Sequence, residues 1–298
     1  MIFASIDIGS NAIRLLFATI FENNDGVVGF SRTSFIRVPI RLGIDVFLTG
    51  RISEEREQKL LKTMAAFKTL IDVNEAVTYE AVATAAMREA SNGKEIVSKI
   101  EQELGISVRI IDGHEEADII REAGEISTIS RFPTTMFVDV GGGSTEISVQ
   151  QGKRFINSQS FNLGTLRLLN ETTDPEEWTR LNDWLMLFKE HFGKIECVGS
   201  GGNINKITKV FGNKEKRIIT LKQLKEAHKN LSEVSISERM RIYNMRADRA
   251  DVIVPASEIF LKIIKTIETD YIVAPKIGLA DGLIINMYKK YQNQNEQT

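Results

Sequence analysis
The chain has 298 residues, 42% hydrophobic and 26% charged, a composition that excludes a disordered or fibrous protein and supplies enough apolar material for two cores. Its formal net charge of -2 excludes a broad polyanion-binding surface, so any grip on a phosphate chain must come from local clusters. The single cysteine, Cys197, excludes an intrachain disulfide; with only three histidines in the chain it reads as a buried strand residue rather than a catalytic thiol.

Residues 3–8, 12–20 and 27–35 read as three consecutive strands, with Asn23-Asn24-Asp25-Gly26 as the second turn. The apolar run after residue 14 follows Asp7 and Arg14 rather than a basic leader, and no apolar run reaches about 18 residues, so a soluble cytoplasmic protein is the expectation. Residues 37–43 are arginine-rich and irregular. Ser53 caps a helix of about 20 residues whose first turn carries Glu54 and Glu55, where negative charge suits the helix dipole. A strand over 77–82 leads into Ala83-Thr84-Ala85-Ala86-Met87-Arg88. These small residues permit close backbone approach, and Arg88 is either a planar fork for phosphate oxygens or a surface partner of Glu89. Asn92-Gly93-Lys94-Glu95 reads as a capping-box variant opening a helix that Gly105 closes. After a strand over 107–111, Gly113-His114-Glu115-Glu116-Ala117-Asp118 opens another helix. Glu115 and Glu116 there are either ordinary first-turn charge or chemistry at a strand terminus.

Phe137-Val138-Asp139-Val140-Gly141-Gly142-Gly143-Ser144-Thr145-Glu146-Ile147-Ser148-Val149 reads as strand, glycine turn, strand. Thr145, Ile147 and Val149 alternate with Ser144, Glu146 and Ser148. The turn feeds a strand, which excludes a P-loop or dinucleotide fingerprint, since both must feed a helix. A hairpin turn still holds phosphate when residues without Cβ bring N–H groups close to an anion, with the Ser144 and Thr145 hydroxyls as further donors. Asp139, between Val138 and Val140, is costly to bury alone and invites a metal ion; the alternative is a tight hairpin with a polar mouth. The pattern occurs twice. Ile6-Asp7-Ile8-Gly9-Ser10-Asn11 leads into Ala12-Ile13-Arg14-Leu15-Leu16-Phe17, and the two aspartates lie 132 positions apart (139 minus 7), the spacing of a duplicated domain rather than of a solenoid.

Asp174-Pro175-Glu176-Glu177 opens a helix to about residue 192. A strand over 194–198 ends in Gly199-Ser200-Gly201-Gly202-Asn203, a turn that serves either a terminal phosphate or nucleoside, or strand-to-helix packing. Residues 205–229 carry eight Lys/Arg against two acids, a local charge of +6. This is either a solvated face or a track for a linear polyanion, with Lys206, Lys209, Lys214, Lys216 and Arg217 as its residues.

Asp7-Ile8-Gly9-Ser10-Asn11-Ala12-Ile13-Arg14-Leu15, Ala83-Thr84-Ala85-Ala86-Met87-Arg88-Glu89-Ala90, Gly113-His114-Glu115-Glu116-Ala117 and Asp139-Val140-Gly141-Gly142-Gly143-Ser144-Thr145-Glu146 together resemble the exopolyphosphatase and guanosine pentaphosphate phosphohydrolase family, in order and spacing, over nearly the whole chain. The resemblance implies an α/β fold of two duplicated actin-like ATPase (ribonuclease H-like) domains around a central cleft. These would be residues 1–124 and 125–298, with the last helix able to pack back on the first domain. It also implies a short form, since longer members add a helical C-terminal region and this chain ends at Thr298.

The implied activity is hydrolysis of a phosphoanhydride bond, releasing orthophosphate from the end of inorganic polyphosphate or from guanosine pentaphosphate, the stringent-response nucleotide; the residues rank neither substrate. Such chemistry needs a base, donors for phosphoryl oxygens and a divalent cation. By resemblance, Glu116 is the base with Glu115 as the other candidate, and Arg88 joins them. Gly9, Ser10, Asn11, Arg14, Gly141, Gly142, Gly143, Ser144 and Thr145 hold phosphate, with Gly201 and Gly202. Asp7, Asp139 and Glu146 bind Mg²⁺ or another divalent cation. Nucleic acid and membrane are not implied partners, and a homodimer is allowed. Met245-Arg246-Ala247-Asp248-Arg249-Ala250-Asp251-Val252-Ile253-Val254-Pro255 and Gly278-Leu279-Ala280-Asp281-Gly282-Leu283 resemble late family segments, but Ala256 and Ser257 stand where the family usually follows the proline with glycine, and Ala280 where it often has arginine, which bears on nucleotide binding. A small-molecule kinase of the same superfamily, or an actin-like or chaperone-like nucleotide switch, are the alternatives.

Overall fold
Branched and small residues make the first stretch a strand, β1 (Ile2–Ile8). In the computed structural model, which describes residues 1–22, 28–127 and 130–295, it is followed in a meander by β2 (Ile13–Glu22) and β3 (Val28–Val38). The turn expected at Asn23 to Gly26 lies outside the described residues. Next come α1 (Leu42–Thr49), α2 (Glu54–Val73), β4 (Thr78–Ala83), α3 (Ala85–Glu89), α4 (Gly93–Leu104) and β5 (Val108–Ile110). The chain then forms α5 (Gly113–Ser127), β6 (Thr134–Val140), β7 (Thr145–Gln151), β8 (Arg154–Phe161), α6 (Thr165–Leu169), α7 (Pro175–Phe192), β9 (Ile195–Ser200) and α8 (Gly202–Phe211). It closes with β10 (Ile218–Thr220), α9 (Leu221–Ser232), α10 (Ile236–Tyr243), α11 (Ala247–Ala250), α12 (Ile253–Thr266), β11 (Tyr271–Val273) and α13 (Leu279–Asn295).

These elements divide into two units, residues 1–112 with 279–298, and residues 113–278. Residues 113–124, drawn with the first domain in the sequence division, belong to α5, which packs on β6, β7 and β8 and so groups with the second unit. The first unit's sheet has the order β3-β2-β1-β4-β5 and the second's β10-β11-β9-β6-β7-β8. In each, three antiparallel strands form a meander, and parallel strands extend the sheet from its first strand: β4 and β5 beyond β1, β9 and β11 beyond β6. The duplication seen in the two aspartates is thus a duplication of topology.

In the first unit β1 is buried on both faces. Ala4, Ile6 and Ile8 enter a core with residues from α1 to α4, including Leu60, Met64 and Phe67, while Phe3 meets Ala280, Ile284, Met287 and Tyr288 of α13. Ser5 donates to Ala280 O (2.8 Å) and Arg32 pairs with Asp281, fixing α13 on the sheet. Local signals act as the sequence suggests at two helix starts, where Ser53 accepts from Arg56 N and Asp174 accepts from Glu176 N ahead of Pro175. Asn92 behaves differently. Its amide makes two 3.0 Å hydrogen bonds with the Ile52 backbone, so it ties two segments together instead of capping α4.

In the second unit the two sheet faces differ in character. Met136, Val138, Ile147, Val149 and Cys197 point into the larger core with Leu181, Leu185 and Phe260. The opposite face carries Phe137, Asp139, Glu146 and Ser148 and receives α5. Gly124 lets that helix settle, because a Cβ there would lie 2.3 Å from the Phe137 ring.

Candidate active site
The site grows from the duplicated strand–turn–strand. Asp7 and Asp139 are the penultimate residues of β1 and β6, and each faces, across the antiparallel pair, the residue seven positions on. In the first unit that residue is Arg14, whose guanidinium pairs with the Asp7 carboxylate. In the second it is Glu146, a like charge. Identical backbone thus gives a neutralised pair in one copy and two adjacent carboxylates in the other.

Glu116, in the first turn of α5, completes the second arrangement. One carboxylate oxygen from each of Glu116, Asp139 and Glu146 lies within 4.8 Å of the others; Glu116 and Glu146 are buried and Asp139 is half-buried. The start of α5 reaches this position because Gly113 has no side chain, since a Cβ would fall 2.3 Å from Ser160 Cβ. His114 Nδ1 shares a 3.1 Å hydrogen bond with Ser158 on the same strand. Three carboxylates converging with little access to water repel one another, and a divalent cation with hard oxygen preference fits that donor set. Ser160 donates to Glu146 Oε1 (2.9 Å), Ser200 donates to Asp139, and Gly201, at φ 88, passes so close that a Cβ would stand 2.9 Å from Asp139 Oδ1.

The glycine turn after Asp139 is held from below. Gly141 N donates to Ser144 O (2.9 Å), while Thr165 N and Leu166 N donate to Gly141 O and Gly142 O. Gly164 abuts Gly142 so closely that a Cβ would lie 2.3 Å from Gly142 O. Arg167 donates to Gly143 O (2.7 Å). Thr145, named above as a phosphate donor, is fully buried and gives its hydroxyl to Leu163 O (2.5 Å), because the strand alternation that aims Glu146 outward aims Thr145 into the core. Ser144 is buried at the turn itself.

In the first unit, Ser10 accepts from Ala86 N (3.2 Å), the first turn of the helix that carries Arg88, and Gly43 N and Arg41 N donate to the Ser10 and Asn11 carbonyls. Gly9 sits against Asp7 and Arg14, with a Cβ position 3.1 Å from the guanidinium. Arg88 is half-buried and donates to Ile111 O (2.9 Å). Glu115 is half-buried, one residue before Glu116.

The basic stretch separates into two kinds of residue. Lys206 donates to Asn244 O (3.0 Å) and Arg217 to Pro275 O (2.7 Å), so both brace the backbone; Lys209, Lys214 and Lys216 are exposed. Burial lowers the Lys206 pKa from its ordinary value, and the neighbouring positive charges of Lys209 and Arg249 add to the effect. Arg249, absent from the candidate residues above, lies over Gly202, where a Cβ would be 2.5 Å from its guanidinium. Ser160 and Ser200 were likewise not singled out, since a serine on the polar side of a strand carries no signal until strand register is known. Ser257, where the family has a glycine region, is buried and shares a hydrogen bond with His228 (2.8 Å), while Ala280 is packed against β1. Cys197 is fully buried, and burial pushes its thiol up to about 12.

Residues 19–291 match the Ppx/GppA phosphatase family. The chain is similar to a guanosine-5'-triphosphate,3'-diphosphate pyrophosphatase of Vibrio cholerae, 24% identical over 99% of the chain and 61% of the relative, so it spans about three fifths of that protein's length. It is 27% identical to a bifunctional 3-dehydroquinate synthase/phosphatase of Fusobacterium nucleatum over 95% of the chain and 46% of the relative. Among solved structures, the Aquifex aeolicus Ppx/GppA family member is 28% identical over 98% of each chain, with a TM-score of 0.77. An exopolyphosphatase from Cytophaga hutchinsonii shares the fold at TM-score 0.84 and 22% identity, over 97% of this chain and 98% of that one. No helix among the described residues is long and apolar enough to cross a membrane. The chain belongs to the Ppx/GppA phosphatase family.

Proposed function
We propose that the protein hydrolyses a terminal phosphoanhydride bond, releasing orthophosphate from inorganic polyphosphate, from guanosine pentaphosphate or from both. The observation that carries this reading is the convergence of Glu116, Asp139 and Glu146 beside a glycine turn. Mg²⁺ or another divalent cation held there by Asp139 and Glu146 would supply charge neutralisation for the phosphoryl oxygens. Glu116, on a different element from the other two, accepts a proton from the attacking water and orients it in line with the leaving oxygen. Gly142 and Gly143 contribute backbone N–H groups without a Cβ in the way of the phosphate, the Gly141 N–H being taken by Ser144 O. Within the first unit taken by itself, Arg88, which donates to Ile111 O, and the Ser10–Asn11 turn are the groups with phosphate-binding chemistry. Lys209, Lys214 and Lys216 extend positive charge for a long substrate.

The test is phosphate release by the purified chain from polyphosphate, guanosine pentaphosphate and ATP, side by side with Mg²⁺. Release from either of the first two with little from ATP supports the proposal. Preferential turnover of ATP refutes it.

A further inference from the structure
Strand register places four polar side chains in one line across the second unit's sheet. Ser200 on β9 is the partner of Asp139 on β6, Asp139 of Glu146 on β7, and Glu146 of Ser160 on β8. All four lie on the face that receives α5, because their chain neighbours Val138, Val140, Ile147 and Phe161 fill the core on the other side and Gly199, before Ser200, abuts the core residues Ile204 and Phe260. The two carboxylates occupy the middle of the line, and each end is a hydroxyl bonded to the carboxylate beside it. Ser160 Oγ lies 2.9 Å from Glu146 Oε1; Ser200 Oγ is bonded to Asp139 Oδ1, with Val138 O farther off at 3.4 Å.

Directly opposed like charges on an antiparallel pair drive the side chains apart. A carboxylate on a strand also turns about its terminal torsion, which is broad and has no staggered wells to fix it. One hydrogen bond from outside the pair removes that freedom and sets the carboxylate plane. A neutral hydroxyl does so without cancelling the charge, in contrast to Arg14, which neutralises Asp7 at the equivalent place in the first unit. Ser160 has a second attachment. Gly113, at the start of the helix bearing Glu116, packs so closely on it that a Cβ there would fall 2.5 Å from Ser160 Oγ. The same serine therefore fixes the orientation of one strand carboxylate and the seat of the helix that carries the third.

We infer that Ser160 and Ser200 are positioning residues which hold the Asp139–Glu146 pair in the orientation that binds a divalent cation, and so set the affinity of the site. The inference rests on the cation reading proposed above and adds residues to it. Hydrogen-bonding partners of metal-ligating carboxylates commonly contribute about 10- to 100-fold in affinity.

The probe is Mn²⁺, titrated into the full chain and followed by electron paramagnetic resonance of the free ion, so that the readout does not depend on turnover. Ser160→Ala and Ser200→Ala should each raise the Mn²⁺ Kd by about tenfold or more. The midpoint of thermal unfolding without metal should move by little in both. Ser148→Ala is the control. Its hydroxyl is also buried on this face of β7, one alternation from Glu146, and has no hydrogen-bond partner among the described residues, so the Kd should be unchanged. Kd values within twofold of wild type in both serine variants, while Asp139→Asn abolishes binding, would overturn the inference and leave the cation reading standing. A tenfold rise shared by Ser148→Ala would also overturn it, marking the effect as general loosening of the strand. Failure of the wild-type chain to bind Mn²⁺, or equal binding by Asp139→Asn, would overturn the cation reading and the inference together.

Discussion

Glu116 is the residue on which the proposed chemistry turns, and its substitution separates binding from catalysis. Glu116→Gln keeps the side-chain shape but not the base, so kcat should fall by roughly 10² to 10⁴ with little change in substrate affinity. Activity within a few-fold of wild type would remove Glu116 from the mechanism, and the same loss in Glu115→Gln alone would transfer the role. Asp139→Asn should instead raise the divalent-ion concentration needed for half-maximal rate. A second residue-scale prediction concerns stability. Burial of Asp45 opposes its ionisation, but hydrogen bonds from the Ser53 hydroxyl, Arg56 and the Ser53 backbone outweigh it and hold the carboxyl below its ordinary 3.8. A lowered carboxyl contributes stability that is complete above the unfolded value and is lost as pH falls through the folded one. Asp45→Asn should therefore lower the urea midpoint at pH 7, and the gap from wild type should narrow as pH is taken below about 3.8. A gap independent of pH would show that the charge is not what matters. The carboxylates were legible in the chain because an aspartate in an apolar strand demands a partner; the partners were not, since whether Asp139 meets a cation, an arginine or a glutamate depends on pairing that no local pattern encodes.

At the scale of elements, legibility followed signal strength. The first unit's meander, the β6–β7 hairpin and the capped α2 and α7 announce themselves through alternation and cap residues. The helix α1 does not, because its N-cap is Arg41 in a left-handed conformation (φ 62) with no side-chain cap bond, so the arginine-rich segment reads as irregular. In α12 eight of fourteen residues are buried, which blurs the helical period, and β10 and β11 have three residues each, too few to show alternation. The basic stretch shows the converse: its charge was plain, but only structure separates Lys206 and Arg217, which brace backbone carbonyls, from the exposed Lys209, Lys214 and Lys216. The informative variant is accordingly Lys209, Lys214 and Lys216 all to Glu, sparing the bracing pair. If these lysines track a long polyanion, its KM for long-chain polyphosphate should rise by about tenfold or more and lose much of its salt dependence. The KM for guanosine pentaphosphate, which is too short to reach along the track, should change by no more than about twofold. Equal effects on both substrates, or none on either, would mark the lysines as a solvated surface.

For the whole molecule, both tryptophans and the one cysteine fall in residues 113–278, so two spectroscopically separate probes report on a single unit. Trp184 packs between Phe161 and Phe188, and Cys197 lies in the same core with its thiol held protonated to about 12. In a urea titration, alkylation of Cys197 should follow the change in tryptophan emission, while far-ultraviolet circular dichroism, which also sees the first unit, should depart from both if the units melt separately. Alkylation that precedes the emission change would reveal local opening around β9.

The order in which the polypeptide is made gives the discontinuity of the first unit a biological edge. Residues 113–278 are contiguous and have everything their core needs by the time Gly278 has left the ribosome. The first unit, begun earlier, finishes later: Phe3, Leu16 and Ile20 wait for Ile284, Met287 and Tyr288, and Ser5 for the carbonyl of Ala280. Through most of translation the face of β1 and β2 that becomes the seat of α13 is uncovered apolar sheet, the kind of surface on which nascent chains aggregate or recruit chaperones. Strands β1 and β2 are thus made before residues 113–278 but sealed after them, and a chain that stops before Ile284 would carry a complete second unit and a first unit whose sheet is bare on this face.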